Sequence, residues 1–292
     1  MITVLDKPGQ ERKQAILFLV AAATLWSSGG VLIKFISWNP IAIAGARSLI
    51  AALVMLVFQR KLHFTWSATQ IGGALAYAGT VILFVSANKL TTAANAILLQ
   101  YTAPVYTALL SVWLLKEKAS KLDWLTILVV LGGMSLFFLD QLSVGNIAGN
   151  ICGILSGVTF ALCAVLLRKQ KDGSPLESVI LGNILTVLIG LPFMFQSAPT
   201  SSSWIPLIIL GIFQLGISYI FYAAAIRYVT ALEAILIPVI EPILNPVWVF
   251  LAMGETPGPW AFIGGIIVLF SVTGRCVIVA LKERLTSGSI SQ

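Results

Sequence analysis

The sequence predicts an all-α membrane protein, with ten transmembrane helices arranged as two inverted five-helix repeats. Three observations lead there: a composition too apolar for a water-soluble domain, ten apolar runs of spanning length, and a repeat pairing the first half with the second. Of 292 residues, 58% are hydrophobic and 10% charged, and the mean hydropathy is +0.97. An ordinary soluble domain carries about 25% charged residues. The composition excludes a soluble enzyme, a disordered protein and a nucleic-acid-binding module. The net charge of +7 does not point to nucleic acid, because the positive residues sit in short loops between apolar runs. Cys152, Cys163 and Cys276 are odd in number and lie inside apolar runs. They form neither a disulfide framework nor a CxxC metal spacing. The single histidine, His63, lies in a basic loop, too little for a metal site or a catalytic triad.

A span needs roughly 20 apolar residues to cross a ~30 Å hydrocarbon core. The first run, about 14–34, follows Lys7, Arg12 and Lys13 and has the look of a signal peptide. It is read as retained, since nine more runs follow it and no small-residue cleavage pattern ends it. The second, 40–58, opens on Pro40 and carries Arg47; 67–88 and 91–115 follow, the latter holding Pro104. The fifth is 123–139. The sixth, 147–167, has Gly149, Gly153 and Gly157 at spacing four, then Ala161, a stripe that lets another helix approach closely. Then come 176–195 and 203–226, the proline-rich 230–253, and 258–281, which contains Arg275.

Positive residues set the orientation. With a cytoplasmic N-terminus, the inside segments hold 14 of the 18 Lys and Arg residues, among them Lys7, Arg60, Lys116, Arg168, Arg227 and Lys282. The outside segments hold two, Lys34 and Lys89, while Arg47 and Arg275 lie within spans. Both termini are therefore expected to be cytoplasmic.

The halves resemble each other. Thr92-Ala-Ala-Asn-Ala-Ile-Leu-Leu matches Thr230-Ala-Leu-Glu-Ala-Ile-Leu-Ile at a shift of 138, which also pairs Pro104 with Pro242, Glu117 with Glu255 and Lys89 with Arg227. A shift of 134 aligns Trp26 with Phe160, Val31 with Val165 and Lys34 with Arg168. Five spans is an odd number, so the two halves cross the membrane in opposite directions. Inverted repeats around a midplane site are a transporter design, because two-fold pseudo-symmetry supplies two access states.

Trp26, then Arg47 in AGARSLIAALV, Pro104 in LLQYTAPVYTALLSVWLLKEK, GGM in the fifth span, IEPILNPVWVFLAMGE and IGGIIVLFSVTG occur in that order. In these features the chain resembles the drug/metabolite transporter superfamily, in its EamA branch of ten-helix carriers. The resemblance covers nearly the whole chain. It implies two EamA-type five-helix repeats, residues 1–140 and 147–282, and a cytoplasmic tail, 283–292. It also implies one substrate cavity between the halves, commonly used to export amino acids or other small metabolites. Family members often place Gly straight after the first-span Trp; here Ser27 and Ser28 intervene before Gly29 and Gly30, which would alter the cavity floor.

Glu241 stands about 11 residues into the ninth span, roughly 16 Å deep at 1.5 Å per residue. A carboxylate at that depth costs at least ~2.5–3.5 kcal/mol on insertion scales and normally faces a cavity or a partner. It sits in Pro238-x-x-Glu241-Pro242-x-x-Asn245-Pro246. These prolines leave the carbonyls of Ala234, Pro238 and Pro242 without helical donors. Glu241 and Asn245 are four apart and share a face. The functional reading is a substrate-ammonium or proton site; the structural alternative is a carboxyl hydrogen-bonded across helices.

Arg47 lies roughly 10 Å below the outer surface at 1.5 Å per residue, close to the depth of Glu241. The two would pair or bracket a zwitterion; otherwise Arg47 anchors its helix or snorkels outward. Glu233 and Arg275 fall near the inner face and are expected to form a structural pair. Glu117 and Glu255 read as structural groups in loops. Trp26 is the tryptophan placed at the midplane, and Tyr77 and Tyr101 are mid-span phenols. Together with Ser27, Ser28, Gln100, Asn183 and Gln214, they are candidates for a polar, aromatic cavity, and each is also explicable as packing.

The expected function is secondary active transport across the inner membrane, exporting small metabolites such as amino acids by alternating access. The alternatives are an exporter of lipophilic or quaternary cations, or a metabolite uptake carrier. The chain has no P-loop, so an ion or substrate gradient would drive it. An intramembrane enzyme is disfavoured, since His63 is alone and no two acids share a midplane site. No cofactor and no metal are expected. The expected partners are a small-molecule substrate, protons and the lipid bilayer, with no nucleic acid, the chain acting as a monomer or homodimer.

Overall fold

A computed structural model describes residues 8–139, 146–244 and 258–288. The described chain is helical throughout. In order it contains α1 (Pro8–Trp26), α2 (Gly29–Phe35), α3 (Pro40–Phe58), α4 (Ala68–Leu90), α5 (Ala93–Gln100), α6 (Ala103–Leu114), α7 (Lys121–Phe137), α8 (Ile147–Lys169) and α9 (Pro175–Met194). Next come a 3-10 turn (Ser201–Ser203), α10 (Trp204–Ile209), a π-helical stretch (Leu210–Ile217), α11 (Ser218–Ala225), α12 (Ala231–Leu236), a 3-10 turn (Ile237–Val239) and α13 (Pro259–Gly288).

Among the described residues, eight helical segments are long and apolar enough to cross a membrane: Gln10–Phe35, Pro40–Phe58, Ala68–Leu90, Ala93–Leu114, Ile147–Lys169, Pro175–Met194, Ser201–Ala225 and Pro259–Leu281. The protein is thus a multi-pass membrane protein. The fifth expected span appears as α7, at 17 residues just short of spanning length. The ninth is described only to residue 244, so its second half lies outside the described residues. The outer surface is apolar, as a lipid-facing surface must be: Val57, Trp113, Phe270 and Leu128 are 67–86% exposed. α13 packs along α7 at the margin of the bundle, and only 22% of its most apolar window is buried.

Three expected spans are broken. The first is interrupted at Ser27–Ser28, where both hydroxyls turn back onto α1, Ser27 to the Thr24 carbonyl at 2.6 Å and Ser28 to the Leu25 carbonyl at 3.1 Å. Such local bonds compete with the helical ladder. The fourth breaks at Tyr101–Thr102 between α5 and α6. Pro104 is the cause, since it offers no N–H to the Gln100 carbonyl and restricts the residue before it. The ninth gives way to the turn Ile237–Val239, where Pro238 and Pro242 withhold two further donors.

Small residues let the helices meet. A Cβ on Gly190 would sit 2.8 Å from the Gly45 Cα, so α3 and α9 touch backbone to backbone. On α8, a Cβ at Gly149 would meet the Thr91 nitrogen at 2.8 Å, at Gly153 the Leu99 side chain at 3.0 Å, and at Gly157 the Gln100 carbonyl at 2.8 Å. The glycine stripe thus seats α8 against α5 and its break, a packing role.

Each end of the bundle is tied by polar bonds. At one end Lys34 donates to the Thr91 carbonyl at 2.8 Å, Lys89 to the Ile36 carbonyl, and the Trp38 indole to the Ser197 carbonyl at 2.7 Å. Thr92 caps α5, and Asn95 donates to Asn150 at 3.3 Å. At the other end Arg168 donates to the Arg227 carbonyl at 2.6 Å, and Arg227 to the Lys171 carbonyl at 2.9 Å. There Thr230 caps α12 in a capping box with Glu233, and Glu233 accepts from Arg12 at 2.6 Å and Arg275 at 3.2 Å. Arg275 also bonds Asp123 at 2.6 Å, itself the capping-box partner of Ser120. Glu233 and Arg275 therefore form a pair, within a four-residue network joining α1, α7, α12 and α13.

Glu117 is held by a left-handed ending of α6. Lys116 takes φ 59°, and the Glu117 N–H reaches the Ser111 carbonyl at 3.2 Å. Its carboxylate then bonds Arg168 at 3.1 Å and accepts the Ala231 N–H at 3.2 Å. Glu255 lies outside the described residues.

Candidate functional site

A small cavity of about 30 Å³ lies in the bundle interior, lined by Trp26, Arg47, Thr80, Val81, Phe84, Gln100, Phe160, Gln214, Leu215, Tyr219 and Glu241. Its lining comes from α1, α3, α4, α5, α8, the π-helical stretch, α11 and the segment after the 237–239 turn. Room for one water needs roughly 10–15 Å³ by this measure. In this conformation the cavity has room for about two or three waters and none for a metabolite.

Each polar side chain arrives by a local irregularity or a glycine. Glu241 follows the proline-made turn. Gln100 is the last residue of α5, just before the break. Gln214 sits in the π-helical stretch, the kind of helix distortion that concentrates at functional sites. Its amide fills the space beside Gly29, where a Cβ would lie 2.8 Å from Nε2. Gly211 brings the same stretch against the α3 backbone, since its Cβ would meet the Arg47 carbonyl at 3.1 Å.

Arg47 is 1% exposed. One of its terminal nitrogens donates to Gln214 Oε1 at 3.2 Å, and its Nε has no hydrogen-bond partner. Nothing acidic pairs with it among the described residues. Snorkelling is therefore not what it does. A buried guanidinium without a counter-charge is costly by several kcal/mol. Glu241 is likewise buried, at 8% exposure. Its partner among the described residues is Tyr101, whose hydroxyl lies 2.7 Å from Oε2 and 2.9 Å from the Pro238 carbonyl oxygen. So a cation and a carboxyl line one cavity, and among the described residues neither is in an ion pair.

An aromatic wall closes the other side. Trp26 meets Phe160 edge to face at 5.9 Å between centroids, Tyr219 at 5.1 Å and Tyr222 at 5.3 Å. Among the described residues, the Trp26 indole nitrogen and the Tyr222 hydroxyl are buried without partners.

Of the residues singled out in the sequence, Glu241, Arg47, Trp26, Gln100 and Gln214 line this cavity, and Tyr101 stands one hydrogen bond behind Glu241. Gln100 is spoken for by Ser156 at 2.7 Å. Tyr77 donates to Asn183 at 3.1 Å and stacks its edge on Tyr219, so it supports the wall and does not line the cavity. Ser27 bonds its own helix and does not line the cavity either. Asn245 lies outside the described residues. Sequence reasoning missed Tyr219 and left Phe160 as a mere repeat match. The signal for Phe160 was its alignment with Trp26; Tyr219 gave none beyond being a mid-span phenol.

Residues 13–139 and 147–274 each match the EamA-like transporter family. An uncharacterized transporter of Archaeoglobus fulgidus is 26% identical over 255 residues, which cover 87% of this chain and 93% of the relative. One of Clostridium kluyveri is 26% identical over 296 residues, covering 91% and 93%. The uncharacterized transporter YdfC of Bacillus subtilis is 25% identical over 282 residues, covering 89% and 91%. A solved crystal structure superposes with a TM-score of 0.76 at 18% identity, covering 89% of this chain and 96% of that one, a likeness of fold.

Proposed function

The chain belongs to the EamA-like transporter family, and from that premise we propose that it is a secondary active transporter of the inner membrane that exports small zwitterionic amines such as amino acids. The observation that carries this reading is a guanidinium and a carboxyl lining one cavity, neither in an ion pair among the described residues. A zwitterion would satisfy both, its carboxylate on Arg47 and its ammonium on Glu241. Gln214 would add a neutral hydrogen bond, and Gln100 only its carbonyl oxygen, since its amide nitrogen is held by Ser156. A bare amine would leave Arg47 unmatched, and a phosphate would face Glu241. With a volume of about 30 Å³, the cavity must widen to take cargo, which fits an occluded state between two open ones.

The proposed alternating access rests on ten spans in two inverted repeats, and four geometric pairings support that arrangement. Trp26 and Phe160, equivalent under the 134 shift, touch each other at the centre. Lys34 and Lys89 exchange bonds to each other's helix ends as Arg168 and Arg227 do at the opposite end. The 138 shift carries Asn95 onto Glu233, and each bonds the start of the other half's first helix, Asn95 to Asn150 at 3.3 Å and Glu233 to Arg12 at 2.6 Å. The breaks at Tyr101–Thr102 and Ile237–Val239 also correspond. Broken helices beside a midplane site are a recurring carrier design. The repeats are taken as 1–140 and 147–282, and the charge bias supports cytoplasmic termini.

The Trp26, Phe160 and Tyr219 wall favours a second reading, a lipophilic or quaternary cation held over aromatic faces beside Glu241. Proteoliposomes carrying a pH gradient discriminate the cargoes: a neutral L-amino acid series, putrescine and tetraphenylphosphonium. The first reading expects amino-acid flux that Arg47→Gln and Glu241→Gln both abolish. Flux of tetraphenylphosphonium alone, insensitive to Arg47→Gln, would favour the second.

A further inference from the structure

We propose that Tyr101 is the positioning residue that ties the proton on Glu241 to the availability of the Pro238 carbonyl, so that a proton and a substrate ammonium exclude each other at this site. The inference rests on Glu241 being the central group of the transport path. Its basis is a count of hydrogens. The Tyr101 oxygen stands 2.7 Å from Glu241 Oε2 and 2.9 Å from the Pro238 carbonyl oxygen. Both are full hydrogen-bond distances. A phenol has one proton to donate, and a carbonyl can only accept. Both contacts are satisfied only when Glu241 is protonated: its Oε2–H donates to the phenol oxygen, and the phenol donates to Pro238.

Ionisation changes the pattern. When the Glu241 proton leaves for water on the open side of the membrane, the phenol proton turns to the carboxylate, the stronger acceptor. The Pro238 carbonyl then loses its phenol donor. Its regular helical donor would be residue 242, which is proline and has no N–H; the N–H it keeps is that of Ile240, which occupies one of its two lone pairs and leaves the other open. A carboxylate and a carbonyl are thus released together on either side of one phenol oxygen. An ammonium has three donors and can use both. Its arrival replaces one positive charge with another, so the site stays electrically balanced through the exchange.

The other titratable groups facing this region are Arg47 from α3, Tyr77 from α4, Cys163 from α8, and Tyr219 and Tyr222 from α11. None hydrogen-bonds Glu241 among the described residues. The linkage therefore runs through Tyr101.

Infrared difference spectroscopy of the detergent-purified full chain, acid against alkaline buffer, tests this without a substrate. Wild type should show a protonated-carboxyl stretch that Glu241→Gln removes. In Tyr101→Phe that band should persist but shift to the higher frequency of a carboxyl without a hydrogen-bond acceptor. A Tyr101→Phe band at the wild-type frequency would overturn the Tyr101 linkage and leave the role of Glu241 standing. Identical difference spectra for wild type and Glu241→Gln would overturn both. Should Tyr101→Phe not fold, tyrosine resonance Raman on wild type and Glu241→Gln decides: a phenol doublet that changes with pH only in wild type supports the linkage, and one that is the same in both overturns it.

Discussion

Glu241 brings a carboxyl and Arg47 a guanidinium to one cavity without meeting, and most of the chemistry follows from that separation. Each was legible in the sequence because a charge inside an apolar run is costly wherever it lands. What each one touches was not legible, since lateral distance does not appear in one dimension. Arg47 as a snorkelling group was a fair expectation; the structure instead gives it a glutamine and an unpartnered Nε. Tyr219 went unseen because an aromatic in an apolar run carries no penalty to notice. At this scale Gly190→Leu should be severe. Its added side chain would press on the Gly45 backbone 2.8 Å from the Cβ, where neither helix can yield. The variant should lose most of its monodisperse peak after detergent extraction, whereas Gly132→Leu, with open space around its Cβ, should extract as wild type does.

The helices show why spans were easier to place than their interiors. Expected edges and observed ones agree within a few residues for 40–58, 67–88, 147–167 and 176–195, because hydropathy marks a membrane boundary directly. The breaks inside 14–34 and 91–115 and the π-helical stretch inside 203–226 were not anticipated. Serine back-bonding at Ser27 and Ser28, a single proline at Pro104 and a π-helical stretch at Leu210–Ile217 leave hydropathy unchanged. Only the proline run near Glu241 was dense enough to announce itself. The ion-pair network at the Arg275 end makes a prediction about these elements. Glu233 takes two arginines and caps α12, and its side chain is 5% exposed. Removing one partner of a buried pair costs about 3–5 kcal/mol. Glu233→Gln should therefore lower the melting temperature in detergent clearly more than Glu117→Gln, whose carboxylate is 27% exposed. Equal shifts would mean that the network is not what holds α1, α7, α12 and α13 together.

For the whole molecule, the claim is that two opposed halves enclose one site. The repeat was readable because Pro104 and Pro242, and Lys89 and Arg227, kept their spacing. That Asn95 and its equivalent Glu233 would each reach the first helix of the other half was not readable, because nothing in the sequence says that residues 55 apart in one case and 221 apart in the other are neighbours. Topology follows from the charge bias. Single cysteines introduced in the 141–146 and 168–174 loops of a cysteine-free background should label from opposite faces of the membrane, and labelling of both from one face would break the inverted scheme. The central claim is that this site takes a zwitterion between Arg47 and Glu241, and thermal-shift measurement tests it most directly. Detergent-purified wild type, Arg47→Gln and Glu241→Gln would be screened against L-amino acids, polyamines and quaternary amines. The account predicts that an amino acid raises the wild-type melting temperature, and that neither variant responds to it. It is contradicted if no amino acid stabilises wild type, or if the same amino acid stabilises Glu241→Gln equally.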